Sequence, residues 1–403
     1  MEPASAAPGE AIDASARRTD LIAVTLIALV LCSALAIFWF TSVVTPPTAA
    51  DRTRPGLLIS SMYDPPENAI ENGIVKGDGQ LFAGQATDPL VRRPEMVRGP
   101  ESEQAYRYQR PFYGWLGWVA SGGQPGAVAV ALIAVTILSA TLLGFACARW
   151  LYDAGADPRW ALAVLLLPGV VVDLTWIGPE TLGAALVVLG LFRWLDVRDH
   201  PGTRERDRPA STPPDWVAVA CFAAAGLCRE TLLLVPFVLM VTAVGAGRWR
   251  RALGAALAAV PYVAWVLVLQ VRIGAWPQGS VDGRLSVLPF GGMVDALDRW
   301  AAAEYGFALL VLGLAVAALV LGRRSGLRAL IAVQLVLAAT MGQAVWNRFP
   351  DFGRVLLPLG VLSLLALVPA LSHRAPTALS AGADGPEPGA RDLVSGTSRP
   401  GDI

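Results

Sequence analysis

The amino-acid sequence predicts an all-α, polytopic integral membrane protein with about ten transmembrane segments, some broken or paired as hairpins, and a long extracytoplasmic loop after the first. Three observations carry this expectation. Of 403 residues, 54% are hydrophobic and only 16% charged, against roughly 25% charged in soluble domains, so the chain needs an apolar solvent. Leu21 to Val44 contains no charged residue, and at about 1.5 Å per residue it exceeds a hydrocarbon layer of roughly 30 Å. Further apolar runs follow at 126–148, 161–177, 181–195, 215–228, 231–246, 252–271, 304–321, 329–346 and 355–371.

Each part of the chain takes its place in that plan. Residues 1–20 form a polar cytoplasmic tail expected to be disordered, and 21–44 the first transmembrane helix. Arg17-Arg18 ahead of the apolar run resembles a signal peptide, but the run is longer than an h-region of about 7 to 15 residues, so the helix is read as retained. Residues 45–125 form the extracytoplasmic loop, 126–371 the transmembrane bundle, and 372–403, rich in Ala, Gly, Pro and Ser, a second disordered cytoplasmic tail. The pairs 161–177 with 181–195 and 215–228 with 231–246 break at Gly178-Pro179-Glu180 and at Arg229-Glu230, so each is expected to be a hairpin of tilted or incomplete spans.

Arginine counting sets the orientation. Arg17 and Arg18, Arg149 and Arg159, Arg193 to Arg208, Arg248 to Arg251, and Arg323 to Arg328 all fall on the cytoplasmic side if both hairpins are real, with both termini inside a plasma membrane. Reading 216–244 as one helix would send the later clusters outside. Lys76 is the sole lysine, which points to a GC-rich bacterial genome.

Composition also excludes functions. Net charge is zero, so nothing argues for nucleic acid. Cys32, Cys147, Cys221 and Cys228 lie in apolar runs without metal-ligand spacing, and read as packing residues. No metal or cofactor is expected. His200 and His373 are both expected in the cytoplasm, against external Ser-His chemistry, and no phosphate-binding Gly-Lys-Ser/Thr loop provides for nucleotide hydrolysis.

The chemistry-bearing residues are expected on the outer face. Asp78 stands between glycines in Gly77-Asp78-Gly79-Gln80-Leu81-Phe82, where a tight backbone leaves its carboxylate free to meet a ligand; the alternative is a plain Asp-Gly turn. Asp64 and Asp88 compete with it. Arg107 and Arg110, three apart, would share a helix face and suit a phosphate, or snorkel to headgroups. Tyr106, Tyr108, Phe112, Tyr113, Trp115 and Trp118 fit an interfacial aromatic belt. Asp173, Glu180 and the Arg229-Glu230 pair sit at span breaks, where ionisable groups either touch ligand or neutralise one another. Asp351 and Arg354 form a further charged turn.

The pattern Asp-Gly-Gln-x-Phe, Asp-Pro, Tyr-Arg-x-x-Arg-Pro over Asp78 to Pro111 resembles the first loop of bacterial membrane glycosyltransferases of the GT-C superfamily, with a second echo at Gly353-Arg354-Val355-Leu356-Leu357-Pro358. The resemblance extends over the architecture of most of the chain but rests on a few short motifs. It implies transfer of a sugar from a polyprenyl-phosphate donor in the membrane lipid to an extracytoplasmic glycan, lipid or protein. Asp78, or else Asp64 or Asp88, would be the general base, and Gln80, Arg107, Arg110, Glu180, Arg229, Glu230 and Arg354 would bind substrate. The chain lacks the paired acidic residues that some members carry directly after the first helix. Two other classes remain open from the residues alone: a transporter or lipid flippase, whose essential charges would lie at mid-membrane, and a non-catalytic scaffold of envelope assembly.

Overall fold

A computed structural model describes residues 8–48, 66–94, 99–195, 213–277 and 285–372. Among them every regular element is helical, with a single isolated bridge between Leu285 and Met341. The first helix, α1 (Pro8–Phe38), widens into a π-turn at Trp39–Val43. It begins at Pro8, well before the apolar run. Four short helices then fill what the sequence reads as a loop: α2 (Ala69–Lys76), α3 (Gly79–Thr87), α4 (Glu101–Tyr108) and α5 (Pro111–Ser121).

The bundle follows with α6 (Pro125–Asp153), a 3-10 segment (Pro158–Leu166), α7 (Pro168–Trp176), α8 (Glu180–Trp194), α9 (Trp216–Cys228), a 3-10 turn (Glu230–Leu233), and α10 (Leu234–Gly245). After these come α11 (Trp249–Leu257), α12 (Val260–Ile273), α13 (Gly291–Val294), α14 (Ala302–Leu321), α15 (Ser325–Thr340), α16 (Gln343–Trp346), α17 (Phe349–Val355) and α18 (Leu357–Ser372).

The protein is a helical membrane protein, and four of its helical segments are long and apolar enough to cross a bilayer: Thr19–Val43, Pro125–Asp153, Trp249–Ile273 and Ala302–Leu321. The number rises to six if the two bent pairs each count as one span. These pairs are Pro158–Leu166 with α7, bent by 60°, and α17 with α18, bent by 48°. The first bend has a local cause. Pro168 disfavours helical backbone at Leu167, which is extended at ψ 135°, and the helix restarts with proline in its first turn. The apolar runs of the sequence are therefore real, but several are helices too short to cross alone. At about 1.5 Å per residue, the 13 residues of α9 rise only some 20 Å.

The second hairpin is visible in its packing. Pro214, just before α9, lies against Gly254 in α11, so the chain returns after α10 to the end it left. Arg251 donates to the Trp194 carbonyl at 2.6 Å, which brings the end of α8 to that same face. Asp20 with Arg159 (3.0 Å), Arg193 with Asp215 (2.9 Å), and Arg324 over the Trp150 ring gather there too. Arg159, Arg193, Arg251 and Arg324 thus share one end of the bundle, while Glu180, Arg229 and Glu230 occupy the other.

Small residues let the helices close. Gly183 of α8 meets Cys228 and Leu232, Gly190 meets Phe222, and Gly144 of α6 meets Ala28 of α1. Without a hydrophobic drive in lipid, such close backbone approach supplies the packing. A second apolar cluster, with Phe40, Ile74, Phe82, Tyr108, Tyr113, Leu132, Ile177 and Trp265, anchors α2 to α5 on the charged end of the bundle. Trp115 is part of this anchoring, since its indole N–H donates to Pro89 O at 2.8 Å, and only Trp118, 45% exposed, keeps the free surface expected of a belt. Cys32, Cys147 and Cys228 are buried, Cys221 is half-buried, and all four are free thiols.

Candidate functional site

Asp78 caps α3 by position, yet its side chain makes no bond to that helix. Its carboxylate instead reaches Nη1 of Arg354 at 2.6 Å. The flanking glycines do not serve a left-handed turn, as Gly77 has φ −119°. They allow close approach: a Cβ at Gly77 would stand 3.0 Å from the Trp176 carbonyl oxygen, and one at Gly79 3.1 Å from Ile177 Cβ. Gln80 follows, half-buried, on the first turn of α3.

Arg354 is held on every side. Its Nε donates to Pro350 O (3.0 Å), its Nη2 to Asp351 (3.2 Å), and its guanidinium lies 5.9 Å from the centre of the Trp176 ring. Asp351 also accepts from Arg348 at 2.8 Å. Burial pushes the Asp78 carboxyl up, but the charge and hydrogen bond of Arg354, with more distant help from Arg107 and Arg110, overcome this and hold it at about 2. Asp78 is therefore an anion in this arrangement.

Two further arginine–carboxylate pairs stand beside the first. Arg110 grips Glu230 through two parallel bonds, Nε to Oε2 at 2.9 Å and Nη2 to Oε1 at 2.8 Å. Burial works against the charge of Arg110, and the attraction of Glu230 more than restores it. Arg229 donates to Glu180. The adjacent residues Arg229 and Glu230 therefore do not neutralise each other; each turns to a partner from a different element.

Glu180 opens α8, and its second carboxylate oxygen faces the Asp173 carboxylate across Gly178, whose missing Cβ would collide with both. Asp173 is fully buried and accepts from the Thr181 backbone N–H at 2.5 Å, closing the corner between α7 and α8. Ile177 at this corner has φ +58°, a left-handed conformation unusual for a β-branched residue.

The remaining sequence candidates fall elsewhere. Asp88 accepts from the backbone N–H groups of Arg92 (2.9 Å) and Arg93 (2.7 Å), so both oxygens of its buried carboxylate are spent on a turn. Asp64 lies outside the described residues. Arg107 pairs with Glu103 at 2.6 Å. Helix α4 ends between Arg107 and Arg110, so they do not share a helical face, although both guanidiniums lie over the Tyr106 ring, at 5.6 and 5.5 Å.

Asp78, Glu180, Arg229, Glu230, Arg110 and Arg354 thus come together at one end of the bundle from five separate stretches of sequence. Trp176 and Ile177 are missed by sequence reasoning, although Asp173 and the Gly178-Pro179-Glu180 break that flank them are named from the sequence. No grouping of three or more His, Cys, Asp or Glu fit to hold a metal occurs among the described residues. Chemically, the cluster offers an anionic oxygen and several planar guanidiniums, each already matched to a carboxylate. The chain matches no known family model, and no curated protein matches it.

Proposed function

We propose that this protein is a bacterial plasma-membrane glycosyltransferase of GT-C type that moves a sugar from a polyprenyl-phosphate donor to an extracytoplasmic acceptor. In this reading the arginine-rich end of the bundle and both termini face the cytoplasm, the chain crosses about ten times with its hairpins counted, and the Asp78 end faces outward. The observation that carries the proposal is the Asp78–Arg354 pair, which sets a carboxylate base beside a guanidinium suited to a phosphate.

The chemistry follows from that pair. The acceptor hydroxyl gives its proton to an Asp78 oxygen as its own oxygen attacks the anomeric carbon; the bond from that carbon to the phosphate oxygen breaks, and the phosphate leaves with the electron pair. A carboxylate held at about 2 is a weak base. When the donor phosphate draws Arg354 toward itself, Asp78 loses its strongest stabilising partner and its basicity rises at the moment it is needed. Arg354 then neutralises the leaving phosphate.

The test is incubation of the purified protein with a polyprenyl-phosphate sugar and an acceptor, without nucleotide. Covalent transfer that is lost in Asp78→Asn supports the reading. One observation favours the rival reading as a transporter: Asp173 is wholly buried within a bent span. Movement of lipid or solute across proteoliposomes without covalent transfer would establish that rival instead.

A further inference from the structure

We infer that the Trp176-Ile177 corner is the positioning element for the Asp78–Arg354 pair, an inference that rests on the glycosyl-transfer reading for its catalytic meaning. The two partners come from distant parts of the chain, α3 and α17, and neither is fixed by its own helix alone. Both touch this corner. The Trp176 ring lies under the Arg354 guanidinium, with 5.9 Å from its centre to the guanidinium carbon. The Trp176 carbonyl and the Ile177 side chain receive the backbone on either side of Asp78, at Gly77 and Gly79.

The corner is itself built to hold still. Ile177 is fully buried and bonds its N–H back to Asp173 O at 2.9 Å, ending α7 in a left-handed turn. Asp173 then ties the start of α8 by accepting from Thr181 N. A left-handed β-branched residue persists only where its surroundings over-determine it. The surroundings of Ile177 include Gly79, next to Asp78, and the buried cluster that holds Ile74, Leu182 and Leu227. Behind them, Gly169 of α7 abuts Gly353 and Leu357, so the element bearing Arg354 is docked on the helix that leads into the corner.

Trp176 is thus a positioning residue: it contacts no reacting atom, and acts by fixing where Arg354 points. The test uses the full chain in detergent, probed with phenylglyoxal, an arginine reagent, with the adduct on the Arg354 peptide measured by mass spectrometry. Trp176→Ala should raise that adduct about three- to tenfold, as expected from loss of a partly desolvated cation–π contact, while Trp176→Phe should restore it. The exposed Arg159 serves as an internal reference. Gly77→Ala, which presses on the same corner from the Asp78 side, should act in the same direction, and covers the case in which Trp176→Ala does not fold. An unchanged Arg354 adduct in Gly77→Ala, and in Trp176→Ala if it folds, overturns the inference. If labelling responds as expected but the native protein transfers no sugar, the positioning stands and the glycosyl-transfer reading falls.

Discussion

Asp78 and Arg354 are separated by 276 positions in the chain and joined by a 2.6 Å ion pair, in which the arginine side chain is 7% exposed and the aspartate 27%. Removing the Asp78 charge would leave the buried Arg354 with Asp351, at 3.2 Å, as its remaining carboxylate partner. Asp78→Asn should therefore destabilise the protein by about 1–3 kcal/mol, read as a lowered thermal midpoint in detergent. Adding Arg354→Gln should cost less than the sum of the single changes. Transfer should fall by about two orders of magnitude or more in Asp78→Asn at a temperature where it stays folded. Near-normal transfer would remove Asp78 from the mechanism.

The same pair sets an acid limit. Asp78 is held near 2, below its ordinary 3.8, so the folded state binds this proton less readily than the unfolded chain does. Its contribution, at most about 2 kcal/mol, is fully present above pH 4 or so and disappears as the pH falls toward 2. Acid titration of the thermal midpoint should show this loss in the native protein. In Asp78→Asn the midpoint should fall less steeply over that window; identical curves would count against a strong Asp78–Arg354 coupling.

Gly178 and Gly84 make a matched comparison. A Cβ at Gly178 would meet the carboxylates of Asp173 and Glu180, whose other oxygens are already engaged, whereas nothing lies within 4 Å of one at Gly84. Gly178→Ala should lower stability by more than about 2 kcal/mol, and Gly84→Ala in the middle of α3 should raise it by roughly 0.5–1 kcal/mol. Equal effects of the two substitutions would mean that the α7–α8 corner yields easily.

Sidedness can be read in intact cells. In a background lacking the native thiols, cysteines replacing Glu101 and Arg348 should react with an impermeant reagent, and those replacing Trp160 and Trp249, exposed at 58% and 68%, should not. Labelling of Trp249→Cys would break the orientation that places the arginine clusters inside.

Much of the architecture is legible in the sequence because lipid imposes long uncharged runs, and the runs at 21–44 and 126–148 are found as continuous helices. The hairpin at Arg229-Glu230 is legible for the same reason, since two charges interrupt an apolar stretch and the arginine count fixes where the chain must return. What the charges do there is not legible. Arg229 turning to Glu180 while Glu230 turns to Arg110 depends on which helices lie alongside, and local spacing carries no such information. Gly77 and Gly79 stand out as glycines, but their reason is a neighbour almost a hundred positions away at Trp176, not the turn that the motif suggests. Asp88 shows the converse: Asp-Pro looks like a candidate, and both of its oxygens go to the next turn of backbone.

The three arginine–carboxylate pairs have a kinetic consequence. If the protein binds a phosphate as proposed, each guanidinium it would use is already occupied, so Asp78, Glu180 and Glu230 would act as resident competitors and binding would be an exchange of one anion for another. An exchange of this kind yields only the difference between two strong interactions, which weakens the grip on substrate and product alike. Under the proposed transfer, Glu180 and Glu230, and Asp78 once it has shed the acceptor's proton, would return to their arginines and help to expel the phosphate carrier, favouring rapid release over tight capture.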